Sequence, residues 1–237
     1  MKVVCNLKAH KTWKEYREYI ADLSKLDTNH ELIVAPSFPY LAYYPKNITL
    51  CAQDVSFSNH ENIVGNVTAK QLKSLDVRYC LVGHSSRRIH YDENEKQFKQ
   101  KIGNCLENDI KVIYCVGESR EEKQREKTYQ VIEKQIARIF NNFEGDLNNI
   151  IIAYEPIWAI SENKKTTDSV DLAKIRDIVI FIKKIILDYY DININVLYGG
   201  SIDEDIVGDY LDLEIDGFLI GNASLDVEKV SNILNKI

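Results

Sequence analysis

Eight short apolar runs rich in β-branched residues alternate along this chain with longer segments, most of them amphipathic and one, after the second run, rich in proline and aromatic residues (Pro36, Phe38, Pro39, Tyr40). The runs occupy residues 2–7, 32–35, 48–53, 79–82, 112–116, 194–198 and 218–220, with the sixth opening at Ile150 and stopped by Pro156. Short runs that are apolar throughout, without alternation, read as strands buried on both faces. Between them the helical period is clearest where Leu172, Ile175, Ile178, Val179, Ile182, Ile185 and Ile186 repeat at three and four. Helices are also predicted at 12–26 with Thr12 as N-cap, at 68–75, 94–107, 121–140 and 203–211, and at the end, where Val227, Val230, Ile233, Leu234 and Ile237 share a face. No Gly/Ser linker, composition break, exact repeat or low-complexity tract interrupts the series. Eight βα units in one chain of this length predict the α/β class and a single (β/α)8 barrel domain over residues 1–237. A doubly wound sheet is the alternative, but it normally carries a G-x-G-x-x-G after an early strand, and this chain has none.

Such a barrel needs a sizeable core, and 45% hydrophobic residues among 237 supply it. A formal net charge of −6 without any long Lys/Arg run argues against nucleic acid or an anionic membrane as partner. The longest apolar run, 178–182, is far short of a membrane span, and residues 1–8 are too short for a signal peptide. The five cysteines (Cys5, Cys51, Cys80, Cys105 and Cys115) are odd in number, form no C-x-x-C and mostly sit in apolar runs. They read as reduced, buried thiols in a cytoplasmic protein. His10, His30, His60 and His90 have no metal-ligand spacing, so no metal is expected.

In a barrel every strand's C-terminal end opens on one face, where catalytic groups gather. This chain places there Asn6 and Lys8, Gln53, His84 with Ser85, Cys115 with Glu118, Glu155, Gly199-Gly200-Ser201, and Gly221-Asn222. Glu155 can serve as a base, His84 as a hydrogen-bond donor or acid, and Lys8 as a fixed positive charge. The glycines after strands seven and eight can turn backbone N–H groups toward an anion. Each feature has an ordinary reading: a solvated lysine, a capping histidine, a Gly-Gly-Ser turn. Cys115 reads as a core residue, since no base partner for it is evident in the sequence. Together, base, electrophile, cation and anion cradle suit proton abstraction beside the carbonyl of a small phosphate ester. Beyond Glu155, an apolar hinge (Ile157, Trp158, Ala159, Ile160) and a polar tip over 161–167 suit a loop that closes and excludes water.

These residues carry a resemblance over nearly the whole chain. Asn6-x-Lys8, Gly83-His84-Ser85 with Arg87-Arg88, Cys115-Val116-Gly117-Glu118, Ala153-Tyr154-Glu155-Pro156-Ile157-Trp158-Ala159-Ile160, Tyr198-Gly199-Gly200-Ser201 and Gly217-Phe218-Leu219-Ile220-Gly221 follow in order. In that order they resemble the triosephosphate isomerase family, whose established account uses a glutamate base and a neutral imidazole. The resemblance implies that Glu155 removes a proton beside the carbonyl of dihydroxyacetone phosphate and that His84 polarises the carbonyl. It implies that Lys8 and Asn6 stabilise the enediolate, and that residues 157 to about 166, including Ile157, Trp158, Ala159, Ile160 and Ser161, form a lid. Ser161, Ser201, Gly221 and Asn222 would hold the phosphate, largely through backbone N–H groups. No cofactor and no metal would be needed. A homodimer is implied, with the loop after strand three reaching into the partner's site.

The chain departs from the family pattern in two places. Ser161 and Asn222 stand where glycine is usual; both keep the backbone N–H, and Asn tolerates φ > 0. Ser86 replaces a usual Glu beside His84, and Val64 and Asn66 replace a usual Thr and Glu in the intersubunit loop. Arg87 would thereby lose a carboxylate partner across the interface and Lys8 one beside it, giving fewer polar intersubunit contacts unless other residues compensate. Two rival readings stay open. A Schiff-base aldolase would want a lysine where strand six offers Glu155, and a metal-dependent epimerase would want His/Asp ligands on several strands. A catalytically dead scaffold barrel would have no need to keep Lys8, His84 and Glu155 together.

Overall fold

The computed structural model describes residues 1–160 and 170–237. Eight strands, β1 (Lys2–Asn6), β2 (Glu31–Ala35), β3 (Thr49–Ala52), β4 (Tyr79–Val82), β5 (Lys111–Val116), β6 (Ile150–Tyr154), β7 (Asn195–Tyr198) and β8 (Gly217–Ile220), pair in sequence order into a closed barrel. All pairs are parallel, and β8 closes the ring on β1 with Val4 opposite Leu219. This is the (β/α)8 TIM barrel, as expected.

Side chains alternate across each strand, so one parity fills the barrel and the other meets the helices. Val4, Ile33, Cys51, Leu81, Ile113, Cys115, Ile151, Ala153, Leu197 and Leu219 pack together inside. Val3, Cys5, Val34, Val112, Tyr114, Ile152 and Tyr154 belong to the larger core between sheet and helices. Both faces of every strand are therefore dry, which is why the strands read as unbroken apolar runs. The inward parity continues past the strand ends: Asn6 follows Val4, Gln53 follows Cys51, Glu155 follows Ala153, and Gly199 follows Leu197.

The helices depart from the expected ranges at a few places. They are α1 (Trp13–Leu23), α2 (Ala69–Ser74), α3 (Ser85–His90), α4 (Glu95–Leu106), α5 (Arg120–Gln124), α6 (Thr128–Phe140), α7 (Leu172–Tyr190) and α8 (Val227–Lys236). Among the described residues, β2 and β3 are joined through a 3-10 turn, Phe38–Tyr40, and the helix expected at 203–211 is a 3-10 turn, Val207–Tyr210. The single helix expected at 121–140 is two, because Glu126 takes the left-handed conformation (φ 56°) between α5 and α6. The gain is local: the Gln135 side chain reaches back from α6 to both the N–H and the carbonyl of Gly117, at 2.9 and 3.1 Å. Helix α3 was not expected; at six residues it is too short to display a helical period.

Candidate active site

Strand parity carries Glu155 into the barrel mouth, and its backbone N–H holds the Val116 carbonyl at 2.8 Å. The side chain is only 4% exposed. Pro156 follows and removes the next ladder donor, so the chain leaves the sheet there. Position 84 has the wrong parity to face inward from β4. Gly83 corrects this with φ 76°, a conformation costly for any residue bearing a Cβ, and delivers His84 to the mouth. His84 Nε2 lies 3.3 Å from Glu155 Oε1, and the Ser85 N–H donates to Glu155 Oε2 at 3.4 Å. A carboxylate and an imidazole, delivered from β6 and β4 with only β5 between them, thus face each other in a buried space.

The cation comes from a strained turn. Lys8 sits at φ 49°, and the loop is fixed from three directions. Its N–H donates to Asn6 Oδ1 at 3.1 Å, while its carbonyl accepts from Ser37 Oγ at 3.0 Å and Gln53 Nε2 at 2.8 Å. Gln53 also donates to the Ala35 carbonyl at 2.8 Å, tying the ends of β1, β2 and β3 together. Gln53 was visible as a strand-end residue but without a role; its inward parity was the available signal. After the adjoining strand β8, a Cβ added at Gly221 would lie 3.9 Å from Lys8 Nζ, so the ammonium borders that loop.

Asn6, Lys8, His84, Glu155, Ile160, Gly199, Gly200, Ser201, Gly221 and Asn222 line one small polar cavity of about 30 Å³. Every expected site residue that is described therefore lines this cavity or the loop at its rim; Ser161 lies outside the described residues. Two details differ from expectation. Asn222 opens a 3-10 turn, Asn222–Leu225, and neither it nor Gly221 is among the residues at positive φ, so asparagine's tolerance of that region is not used. The Ser201 hydroxyl donates to the Ala159 carbonyl at 2.7 Å, linking the loop after β7 to the root of the loop after β6.

That root is anchored by Glu118, which is 1% exposed. Trp158 Nε1 donates to Glu118 Oε1 at 2.7 Å, the Tyr154 hydroxyl donates at 3.2 Å, and the Ile157 N–H reaches the Glu118 carbonyl at 3.1 Å. Burial raises the Glu118 carboxyl above its usual range, against the opposing pull of these donors. Lys123 lies 3.0 Å from the centre of the Trp158 ring. Cys115 does have a carboxylate neighbour, contrary to the reading of the sequence. Burial first, and Glu155 second, push its thiol well above the ordinary range, so it stays protonated and is no nucleophile.

Arg87 is not left without acid partners. It pairs with Asp54 at 3.0 Å and, through Nε, with Glu93 at 3.1 Å, both in its own chain. Lys101, 1% exposed, joins the same two carboxylates at 2.6 and 2.7 Å. Burial would raise Glu93, but the hydrogen bonds and charges of Arg87 and Lys101 outweigh it and hold the carboxyl below its usual range. Arg87 thus finds two carboxylate partners within its own chain.

The constellation can move a proton off carbon, donate a hydrogen bond to a carbonyl oxygen and hold negative charge beside a cation. Comparison with known proteins gives the same picture. A family model described as triosephosphate isomerase matches residues 1–237. Similar curated proteins carry that name: one from Mycoplasmopsis pulmonis is 35% identical, covering 98% of this chain and 96% of its own length. One from Neurospora crassa is 33% identical over 96% of this chain and 95% of its own. One from Thermodesulfovibrio yellowstonii is 31% identical, covering 98% and 97%.

Proposed function

The chain belongs to the triosephosphate isomerase family, and on that premise we propose that Glu155, His84, Lys8 and Asn6 carry its reaction. The reaction is the interconversion of dihydroxyacetone phosphate and D-glyceraldehyde 3-phosphate by proton transfer through an enediolate, a step of glycolysis and gluconeogenesis. The observation that carries the residue assignment is the 3.3 Å approach of Glu155 and His84 inside a buried mouth bordered by Lys8.

Glu155 takes the proton from the carbon beside the carbonyl, and its carboxyl, after exchange with solvent, delivers a proton to the neighbouring carbon. To reach carbon it exchanges its contacts with His84 and the Ser85 N–H for the substrate. His84, neutral, donates to the carbonyl oxygen and then moves protons between the two oxygens. Lys8 and Asn6 offset the negative charge that develops there, in a space dry enough for that charge to be felt. The phosphate lies against the backbone N–H groups at Ser201, Gly221 and Asn222, with Ser161 joining from the loop. Ile157, Trp158, Ala159 and Ile160 root the lid that keeps water from the enediolate. The chemistry asks for no cofactor and no metal. Substitution Glu155→Gln keeps shape and removes the base, so kcat should fall by about 10³-fold or more, within the range for general-base loss. An unchanged kcat would show the base to be another residue.

Residues 1–237 act as one domain in this reading, which the pairing of the first strand with the last supports. The protein works as a homodimer in the cytoplasm. Support for the dimer is the loop over 54–66, where Val64 is 97% exposed with Phe57 and Ile63 partly so, and a cleft of about 470 Å³ beside Lys8 and His84 lined by Phe38, Gln53, Arg87 and Tyr91. In this reading the loop of one copy enters the cleft of the other. The five free, buried thiols support a reducing compartment.

A further inference from the structure

Ser86 makes a contact that its place in the chain does not explain. Its hydroxyl lies 2.9 Å from His84 Nδ1, and its backbone N–H donates to the same nitrogen at 3.2 Å. An amide N–H can only donate, so Nδ1 is an acceptor and the proton of the neutral ring sits on Nε2. The hydroxyl must then donate as well. A serine in a first helical turn ordinarily bonds its own backbone; here the O–H goes to a ring nitrogen. On the far edge of that ring, Nε2 is the atom that faces Glu155 Oε1 at 3.3 Å.

We propose that Ser86 is a positioning residue for His84, its O–H adding to its own N–H to fix the ring plane and the Nε2–H tautomer aimed into the mouth. The inference rests on the isomerase reading and deepens it. Two donors on Nδ1 draw electron density from the ring and make Nε2–H a stronger donor to a carbonyl oxygen. An ionised glutamate, the residue usual at this place in the family the chain resembles, has no proton to offer Nδ1. This chain therefore holds its imidazole by a hydrogen bond that such an acid cannot make.

The test compares wild type with Ser86→Ala, which removes the donor, and Ser86→Thr, which keeps it, with thermal melts to establish that each is folded. Two quantities are read: steady-state kcat and KM for triose phosphate interconversion, and the ¹⁵N resonance of His84 Nδ1. In Ser86→Ala, kcat should fall about tenfold, the worth of one hydrogen bond to a reacting group, with KM within about twofold. The Nδ1 resonance should move downfield, toward that of a nitrogen accepting fewer bonds, and Ser86→Thr should restore both. Either quantity staying at its wild-type value in Ser86→Ala overturns the proposal, as does a threonine variant indistinguishable from alanine. If wild type itself does not turn over, the isomerase reading fails instead, and the resonance still decides whether the hydrogen bond exists.

Discussion

A methyl group placed on residue 199 would lie 2.6 Å from Glu155 Cγ, closer than carbon atoms approach without displacing one another. Glycine at 199 is therefore part of how the carboxylate is aimed, though it has no group that reacts. Gly199→Ala should leave the fold intact and push Glu155 off line, lowering kcat by about 10²-fold, as a misplacement near 1 Å does. Steady-state kinetics beside a thermal melt check this; a folded variant within twofold of wild-type kcat would show that Glu155 has slack. Single residues were unevenly legible in the sequence. Glu155, His84, Lys8 and Asn6 announce themselves as charged or polar groups at the ends of apolar runs. Gln53 and Glu118 stand at strand ends too, but their work is to hold other residues, which side-chain chemistry alone does not reveal. The Ser85 N–H that steadies Glu155 is backbone, and backbone donors leave no trace in composition. The carboxylate beside Cys115 was missed because the two meet across neighbouring strands, with Cys115 paired to Ala153.

Strands were the easiest elements to read, since two-sided burial writes itself as an unbroken apolar run, and each expected run overlaps a strand. Helices follow weaker rules. Glu126 breaks the expected long helix from a left-handed conformation that its side chain does not advertise, and α3 hides in a motif that reads as a loop. The elements are then tied together by buried polar groups. Lys101 on α4 meets Asp54 from the loop after β3 and Glu93 from the turn before α4; the pairing outweighs burial at Glu93 but not at Asp54, whose carboxyl burial raises above its usual range. Since Glu93 is held below its usual range, its share of stability is present at neutral pH, above its unfolded value, and is lost as acid protonates it. Glu118 does similar work at the start of the loop after β6, where Trp158 and Tyr154 donate to its buried carboxylate and the Ile157 N–H to its carbonyl.

For the molecule as a whole, closing eight parallel strands puts every strand's C-terminal end on one rim, and a site whose residues span positions 6 to 222 becomes one cavity. Fold and site were legible together for that reason: predicting the barrel already predicts which residues meet. Assembly was less so, because the partner surface depends on loop shape. The dimer proposed from the exposed 54–66 loop and the neighbouring cleft predicts a native mass about twice the 27.4 kDa chain by light scattering at assay concentration. A fully active monomer would remove the loop exchange from the account. The central claim is that Glu155 moves a proton between two carbons of a triose phosphate. It is tested most directly by running the conversion of dihydroxyacetone phosphate in deuterium oxide with a chelator present. The account predicts deuterium at C2 of the aldehyde product, and neither turnover nor exchange in Glu155→Gln. Product formed at full rate by Glu155→Gln, with hydrogen carried over intact from the substrate, would mean migration without the carboxylate and would contradict it.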